Sequence, residues 1–198
     1  MSTLSAYLQS RNFTEFEGYS QQVPGQTKDL AQLISHPDVR TVMEIGFNAG
    51  HSAEIFLKTN PNITLVSFDL GCHDYVKVGK EYIDSKYPGR HTLILGDSTK
   101  TIPKYIEENP GKTFDLLFID GCHEYDFALA DMSNCRLLAH KNSIVLLDDT
   151  MFTNGWVAHF NVGPTKVWLE FIRDNKLLSF QQRDYRPGRG MSWGQYIL

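Results

Sequence analysis

The sequence predicts an α/β fold built on an open, mostly parallel sheet, with helices on both faces and an antiparallel hairpin at the C-terminal end. From residue 41 onward, short apolar runs rich in Val, Ile, Leu and Phe alternate with helical segments. Regular alternation of this kind is typical of a parallel sheet covered by helices. Near the C-terminus the pattern changes, because two strand-like runs flank the turn sequence PGRG at 187–190. That arrangement predicts a hairpin.

The N-terminal residues 1–38 predict a helical cap ahead of the sheet. The Pro-Gly pair in VPGQT, residues 23–27, marks a turn. Thr27 is the predicted cap of the helix that follows, and Pro37 ends that helix. The positions expected to be buried are Leu4, Leu8, Leu30, Leu33 and Ile34. Two roles stay open for the cap: it covers one face of the sheet only, or it also covers a bound ligand.

The core is expected to span residues 41–198 and to form one domain with the cap. Parallel strands are predicted at 42–47, 64–68, 92–95, 114–119 and 143–147. The helices between them are predicted at 52–58, 74–86, 101–108 and 124–140. One more helix follows at 163–173, and the hairpin strands are predicted at 178–186 and 191–198.

Composition narrows the kinds of partner. The 198 residues are 41% hydrophobic and 21% charged, which is ordinary for a globular domain. A net charge of -4 without a run of Lys or Arg argues against nucleic-acid or anionic-membrane surfaces. The sequence has neither a signal-peptide pattern nor a membrane-length apolar stretch, and its three scattered cysteines are typical of free thiols. We therefore expect a cytoplasmic protein that binds a small molecule. A homodimer is one assembly that it could form.

The stretch TVMEIGFNAGHS, residues 41–52, combines a strand, a glycine loop and a helix start. Gly46 and Gly50 allow backbone to approach a ligand closely, and the helix N-terminus favours an anionic group. Glu44 in the strand would repel a pyrophosphate but would accept hydrogen bonds from an ammonium or hydroxyl group. An amino-acid-like ligand is therefore favoured. The G-x-x-x-G spacing also differs from the G-x-G-x-x-G of dinucleotide-binding dehydrogenases.

Acidic residues lie in or directly after all five predicted parallel strands: Glu44, Asp69, Asp97, Asp120, Asp148 and Asp149. Ligands of open parallel sheets bind at the carboxyl ends of the strands. Asp69, at the end of the second strand, is placed to accept both hydroxyls of an adenosine ribose, or else it simply starts a loop. Asp97 and Ser98 either contact an adenine or cap the next helix.

Asp120, Asp148 and Asp149 form a second acidic group if their strands are neighbours. Mutual repulsion would keep at least one of these carboxyl groups protonated unless a cation is bound. Mg²⁺ is typically held by a few carboxylates with water and substrate oxygens. A divalent metal site is therefore predicted, with the alternative that Asp149 caps a loop and Asp148 faces solvent.

Five motifs, MEIGFNAGHSA, FDL, GDS, FIDGCHEY and VLLDDT, occur in an order and spacing that resemble the class I methyltransferases that use S-adenosylmethionine. The resemblance is to the metal-dependent small-molecule O-methyltransferases, covers about residues 20–170, and is nearest to the sugar-modifying branch, with catechol O-methyltransferase more distant. The segment RGMSWG at 189–194 also resembles that branch. The resemblance implies a Rossmann-like fold, S-adenosylmethionine and a divalent metal, with Mg²⁺ favoured over Mn²⁺.

The resemblance also implies roles for individual residues. The methionine portion of the cofactor would be held by Glu44, Gly46 and Ser52, and the ribose by Asp69, while residues 23–26 would cross over the cofactor. The full implied cofactor site is Val23, Gly25, Glu44, Gly46, Phe47, Asn48, Gly50, Ser52, Asp69, Asp97, Ser98 and Asp120. Asp120, Asp148 and Asp149 match the metal ligands of the sugar-modifying branch, whereas the catechol enzyme has Asn at the last position.

The catalytic base departs from the family pattern. The catechol enzyme has Lys three residues after its first metal ligand, and the sugar enzymes have an acid two residues after it, where this chain has His123 and Cys122. An imidazole can take a proton from a hydroxyl that a metal has acidified. His123 is therefore the predicted base, with Asp120 as the second catalytic residue, although His123 could instead cap the helix at Glu124.

The predicted reaction is methyl transfer to a hydroxyl of a small molecule with two adjacent oxygens, such as a sugar or other vicinal diol. A loop at 151–160 could line the acceptor pocket with Phe152, Trp156, His159 and Phe160, or these rings could belong to the core. Two alternatives stay open at this point: a metal-independent methyltransferase acting on another acceptor, and a module that binds S-adenosylmethionine without turnover.

Overall fold

The computed structural model describes residues 3–198, and within that range it contains one mixed sheet of seven strands. The strands are β1 Thr41–Ile45, β2 Thr64–Asp69, β3 His91–Leu95, β4 Phe114–Ile119, β5 Ala139–Asp148, β6 Leu177–Arg186 and β7 Arg189–Tyr196. The helices are α1 Leu4–Ser10, α2 Pro24–Ile34, α3 His51–Thr59, α4 Asp74–Lys86, α5 Ser98–Glu108, α6 Tyr125–Leu137 and α7 Val162–Arg173. Short 3-10 turns lie at Ser20–Gln22 and His159–Asn161.

The sheet has the strand order β3-β2-β1-β4-β5-β7-β6, in which the first five strands are parallel. β7 is inserted antiparallel between β5 and β6. The chain runs outward from β1 to β3 and then returns to the other side of β1 as β4, so strand order reverses between β1 and β4. A Rossmann-like sheet binds its ligands at this point. The predicted fold class, including the antiparallel hairpin, is confirmed.

Two hydrophobic clusters cover the two faces of the sheet. Alternate residues of β4 belong to different clusters, because Leu116 and Phe118 pack on one face while Leu117 and Ile119 pack on the other. The first cluster includes apolar residues of α1 to α4, and the second includes residues of α5, α6 and α7. The central strands are therefore buried on both sides, which explains their nearly continuous apolar sequences.

Several predicted boundaries were wrong for local reasons. α5 begins at Ser98 instead of residue 101, because the Asp97 side chain caps it by accepting a hydrogen bond from the Thr99 N–H at 3.0 Å. α2 begins at Pro24, and Thr27 lies inside it, where its hydroxyl donates to the Ser20 carbonyl. β5 begins at Ala139, four residues before the predicted strand, and α6 accordingly ends at Leu137.

The N-terminal cap packs on the first face of the sheet. Leu4, Leu8, Leu30 and Ile34 are fully buried there, as expected, whereas Leu33 is only partly buried. Asp29 of α2 accepts hydrogen bonds from Arg183 at 2.7 Å and from Tyr185 at 2.7 Å, which joins α2 to β6. The three cysteines are unpaired thiols. In the described part of the chain, every helix is too short or too polar to cross a membrane.

Candidate active site

A cavity of about 810 Å³ lies at the carboxyl ends of β1, β2 and β4, where strand order reverses. Its wall includes the glycine loop after β1, the ends of β2 and β3, and the segment after β4. Of the residues predicted to bind the cofactor, it contains Gly46, Phe47, Asn48, Ser52, Asp69, Asp97, Ser98 and Asp120. Eight of the twelve residues predicted to bind the cofactor therefore line this cavity.

Gly46 closes the gap between β1 and β4. Its φ is +94°, and an added Cβ would lie 1.9 Å from the Asp120 carbonyl oxygen. Its N–H donates to the Phe68 carbonyl at 2.8 Å, while the Asp120 N–H donates to the Ile45 carbonyl at 2.9 Å. Only glycine fits this conformation and this contact. The glycine loop and Asp120 are consequently held side by side at the cavity.

Glu44 lies behind the cavity wall and not in it. Its carboxyl group is fully buried and accepts hydrogen bonds from the hydroxyls of Ser52 and Ser67, the latter at 2.6 Å. Burial raises the pKa of Glu44 to about 7, against the opposing effect of the two hydroxyls. The sequence prediction gave Glu44 a direct contact with the cofactor. In this geometry it acts through Ser52, which does line the cavity.

Asp69 is positioned by backbone donors. Its Oδ2 accepts the N–H of Asn48 at 2.7 Å, and its Oδ1 accepts the N–H of Gly71 at 2.7 Å. These bonds tie the end of β2 to the glycine loop and orient the carboxylate at the cavity wall. A carboxylate oxygen can accept more than one hydrogen bond, so Asp69 keeps capacity for hydroxyl donors of a ligand.

Asp97 has the capping role, one of the two that the sequence left open, and the adenine contact stays a prediction. The Asp97 carboxylate caps α5 through the N–H and hydroxyl of Thr99 and forms an ion pair with Lys100 at 3.2 Å. The hydrogen bond from the Thr99 side chain is the main cause that lowers the pKa of Asp97. Both Asp97 and Ser98 still line the cavity. Capping therefore fixes their position at the wall.

Asp120, His123 and Asp149 form a compact group on one side of the cavity, in which one ligand atom from each residue lies within 4.8 Å of the other two. His123 Nε2 lies 2.8 Å from Asp149 Oδ2, and this hydrogen bond is the main cause that raises the pKa of His123. Burial, followed by repulsion from Asp148 and Asp149, raises the pKa of Asp120 well above its usual value. Carboxylate and imidazole donors at this spacing suit a divalent cation.

Asp148 differs from the prediction that it faces this group as a third acidic ligand. Its side chain is buried, does not line the cavity, and accepts a hydrogen bond from Gln26 Nε2 at 2.6 Å. Burial and the neighbouring Asp149 raise the pKa of Asp148 to about 7. Neighbouring residues of an extended strand point to opposite sides, and Asp149 departs from the strand with a left-handed φ of +55°. This turn directs Asp149, but not Asp148, into the cavity.

The segment of the cap that reaches the cavity is Glu17 to Ser20 and not residues 23–26. Val23 is buried in the core, and Gly25 packs against the ring of Tyr185. Val23 and Gly25, which were predicted to contact the cofactor, therefore do not line this cavity. Gly50 likewise lies outside the wall, where its φ of +91° supplies the turn into α3.

Among the wall residues that the sequence analysis did not assign to the site are Arg189 and His51. Arg189 reaches it from β7, with Nη1 3.7 Å from Asp149 Oδ1. His51 is 3% exposed, stacks on Tyr19 at 4.1 Å, and has no hydrogen-bond partner for either ring nitrogen within residues 3–198. Burial lowers the pKa of His51 to about 4, so this imidazole is neutral. The sequence signal for a place of His51 in the wall is its position directly after Gly50.

The loop between β5 and α7 contributes two of its four predicted aromatic residues. His159 and Phe160 line the cavity, and the rings of His123 and Phe160 are 5.5 Å apart. Phe152 and Trp156 do not line it, and Phe152 packs against the second hydrophobic cluster. Phe127 of α6 adds a further apolar surface.

The sheet topology, the glycine loop and the acid at the end of β2 together define the fold and cofactor cleft of the class I methyltransferases. A sequence model described as a methyltransferase domain matches residues 43–150. The chain belongs to this methyltransferase family, and the resemblance inferred from its motifs is confirmed. None of the curated protein sequences matches it.

Solved structures share the fold at low sequence identity. The cofactor-bound protein Rv0187 from MTB is 19% identical with a TM-score of 0.76, and the match covers 97% of this chain and 87% of that one. An O-methyltransferase from Bacillus cereus in complex with SAH is 16% identical with a TM-score of 0.75, covering 98% and 90%. CalS11, a TDP-rhamnose 3'-O-methyltransferase of calicheamicin biosynthesis, is 21% identical with a TM-score of 0.63, covering 84% and 76%.

Proposed function

We propose that this protein is an S-adenosylmethionine-dependent O-methyltransferase that acts, with a divalent metal ion, on a hydroxyl of a small molecule such as a sugar or other vicinal diol. The observation that carries the proposal is the contact between Gly46 and Asp120. It places the cofactor loop and the Asp120, His123 and Asp149 group in one cavity. A methyl donor and a hydroxyl held by that group would therefore be neighbours.

The residues of the wall fit the parts of the cofactor. S-adenosylmethionine supplies an electrophilic methyl carbon on a sulfonium sulfur. The N-terminus of α3, with Ser52 in its first turn, suits the carboxylate of the amino-acid portion. Asp69 suits the ribose hydroxyls, and Asp97 with Ser98 suits the adenine end. A cofactor held at these places would lie beside Asp120.

The acidic group fits a metal-assisted acceptor site. A divalent ion bound there would lower the pKa of a coordinated hydroxyl. Asp120 and Asp149 would hold it, while Gln26 keeps one oxygen of Asp148 occupied. Holding acceptor and donor in line supplies much of the rate. That His123 is the base that removes the hydroxyl proton stays a prediction.

The acceptor class rests on two kinds of support. The rings of Phe160 and Phe127 give the cavity apolar surfaces on which a sugar ring or phenol can pack. The name of CalS11 states a sugar acceptor for that protein. A vicinal diol offers the two adjacent oxygens that a metal chelates. A cytoplasmic location remains the expectation from the sequence.

The experiment that tests this proposal is methyl transfer from S-adenosylmethionine to a panel of diols, including nucleotide sugars and catechols, measured as S-adenosylhomocysteine formed. We expect turnover with an added divalent metal, and loss of at least about a hundredfold after exhaustive EDTA treatment because metal activation is removed. Readdition of the metal should restore the rate. Full activity of the EDTA-treated protein would contradict the metal role.

A further inference from the structure

The third donor of the acidic group is a nitrogen. Asp148 does not line the cavity: its Oδ1 accepts a hydrogen bond from Gln26, and its Oδ2 is buried without a hydrogen-bond partner among the described residues. His123 Nε2, in contrast, lies within the group of ligand atoms. The available donor set is therefore two carboxylates and one imidazole. It differs from the three carboxylates expected from the sequence.

The spacing of these donors suits one ion. Two ligands about 2.1 Å from an octahedral ion are roughly 3 Å apart when adjacent and about 4 Å apart when opposite. His123 Nε2 is hydrogen-bonded to Asp149 Oδ2 at 2.8 Å, and the same separation would suit an adjacent pair of ligands with an ion in place of the shared proton. The ligand atom of Asp120 lies within 4.8 Å of those of His123 and Asp149, so Asp120 can bind the same ion.

Asp149 has an oxygen free for a ligand. It is 2% exposed, and its Oδ1 has no hydrogen-bond partner in the described range, where the nearest cation is Arg189 Nη1 at 3.7 Å. A buried carboxylate oxygen without a hydrogen bond is unfavourable unless a ligand supplies the missing interaction. Because Asp149 also forms part of the cavity wall, an ion bound at this wall could supply the missing interaction.

The charges of the site leave room for one divalent ion. Asp120, Asp148 and Asp149 bring three carboxyl groups together, and Arg189 is the cation beside them. With a metal bound, these three carboxyl groups ionised and His123 neutral, the side chains of Asp120, Asp148, Asp149 and Arg189 together would carry two negative charges. A divalent ion balances them, and a neutral imidazole is the form that binds metals.

We infer that the site takes a first-row transition-metal ion of the Fe²⁺, Co²⁺ or Zn²⁺ type in preference to Mg²⁺, with His123 Nε2 as a direct ligand beside Asp120 and Asp149. Imidazole suits these ions, whereas Mg²⁺ is bound through oxygen ligands and water. This inference rests on the proposed function for the role of the ion, and it assigns His123 to metal binding instead of proton abstraction.

Calorimetric titration with CoCl₂ or MgCl₂ alone, without cofactor or acceptor, tests the assignment. We expect His123→Ala to weaken Co²⁺ binding by about a hundredfold and Mg²⁺ binding by less than about threefold, because only the transition metal gains from the nitrogen. His140→Ala is the matched control, since His140 pairs with Asp115 at 3.0 Å near the amino end of β4, whereas the cavity lies at the carboxyl end. It should bind both ions like the unaltered protein.

A second measurement avoids any loss of folding in the variant. Pulsed electron paramagnetic resonance of the unaltered protein loaded with Mn²⁺ should show coupling to a directly bound ¹⁴N nucleus. Absence of that coupling, or Co²⁺ affinity that is unchanged in His123→Ala while turnover is lost, would overturn the inference and return His123 to the role of base. Absence of methyl transfer with every acceptor would refute the proposed function and leave these binding results unaffected.

Discussion

Gly46→Ala is expected to abolish binding of S-adenosylhomocysteine and to lower the free energy of unfolding by roughly 2–4 kcal/mol. The added Cβ would lie 1.9 Å from the Asp120 carbonyl oxygen, and the φ of +94° is unfavourable for alanine. The added Cβ is fixed to the backbone and the Asp120 carbonyl oxygen is part of it. Neither atom can rotate away, so the backbone after β1 and the backbone after β4 must separate. A misplacement of about 1 Å can cost on the order of a hundredfold in rate, so turnover should also be lost.

Gly111→Ala separates the clash from the conformational strain. Gly111 also has a positive φ, +78°, but an added Cβ there meets nothing within 4 Å. This control should cost about 1–2 kcal/mol of stability, as expected for strain alone, and should leave S-adenosylhomocysteine affinity unchanged. Calorimetry and thermal unfolding of both variants provide the comparison. Normal affinity in Gly46→Ala would contradict the close contact between the cofactor loop and Asp120.

Asp149→Asn is expected to reduce turnover by on the order of a thousandfold, because loss of metal activation removes several kcal/mol of transition-state stabilisation. Asn tolerates the left-handed φ of +55° found at Asp149 and has nearly the same shape as Asp. The backbone should therefore stay in place while the ligand charge is lost. Metal affinity should fall with turnover, and S-adenosylhomocysteine affinity should stay within about threefold, since Asp149 does not belong to the proposed cofactor contacts.

Asp126→Asn, an exposed carboxylate in the first turn of α6, is the control for loss of one negative charge. It should match the unaltered protein in turnover and in metal affinity. Undiminished turnover in Asp149→Asn would show that Asp149 has no part in the chemistry. Equal losses in both variants would assign the effect to the net charge of the protein instead of to the group around Asp149.

The fold could be predicted from the sequence because the central strands are buried on both faces. Their apolar runs stand out from the amphipathic helices between them, and this contrast gives the strand count, the parallel core and the hairpin. The boundaries were less accurate, since a cap such as Asp97 extends a helix by residues that have no apolar pattern. The polar start of β5 at Ala139 was missed for the same reason.

The site could be predicted where function follows from position at the end of a strand. Gly46, Asp69, Asp120 and Asp149 all lie at the carboxyl end of a parallel strand, so the sheet alone brings them to one edge. Glu44 was misplaced because a strand buried on both faces gives no alternation that tells which way a side chain points. Its contact with Ser67 depends on the pairing of β1 with β2.

The remaining site residues depend on contacts between distant parts of the chain. Arg189 reaches the acidic group because β7 pairs with β5 in a register that sets Met191 opposite Asp148. Asp148 is turned away because α2, joined to β6 through Asp29, presents Gln26 to it. Neither strand register nor helix docking can be deduced from a strand pattern. The inferred preference for His123 over Asp148 as the third metal ligand depends on both.

A crystal structure with S-adenosylhomocysteine and Co²⁺, with anomalous scattering recorded at the cobalt edge, tests the account most directly. We predict that the ribose lies at Asp69 and the adenine beside Asp97 and Ser98. One anomalous peak should lie among Asp120, His123 and Asp149, on the side of the cofactor sulfur. A cofactor bound outside this cavity, or a cobalt peak away from these three side chains, would contradict the account.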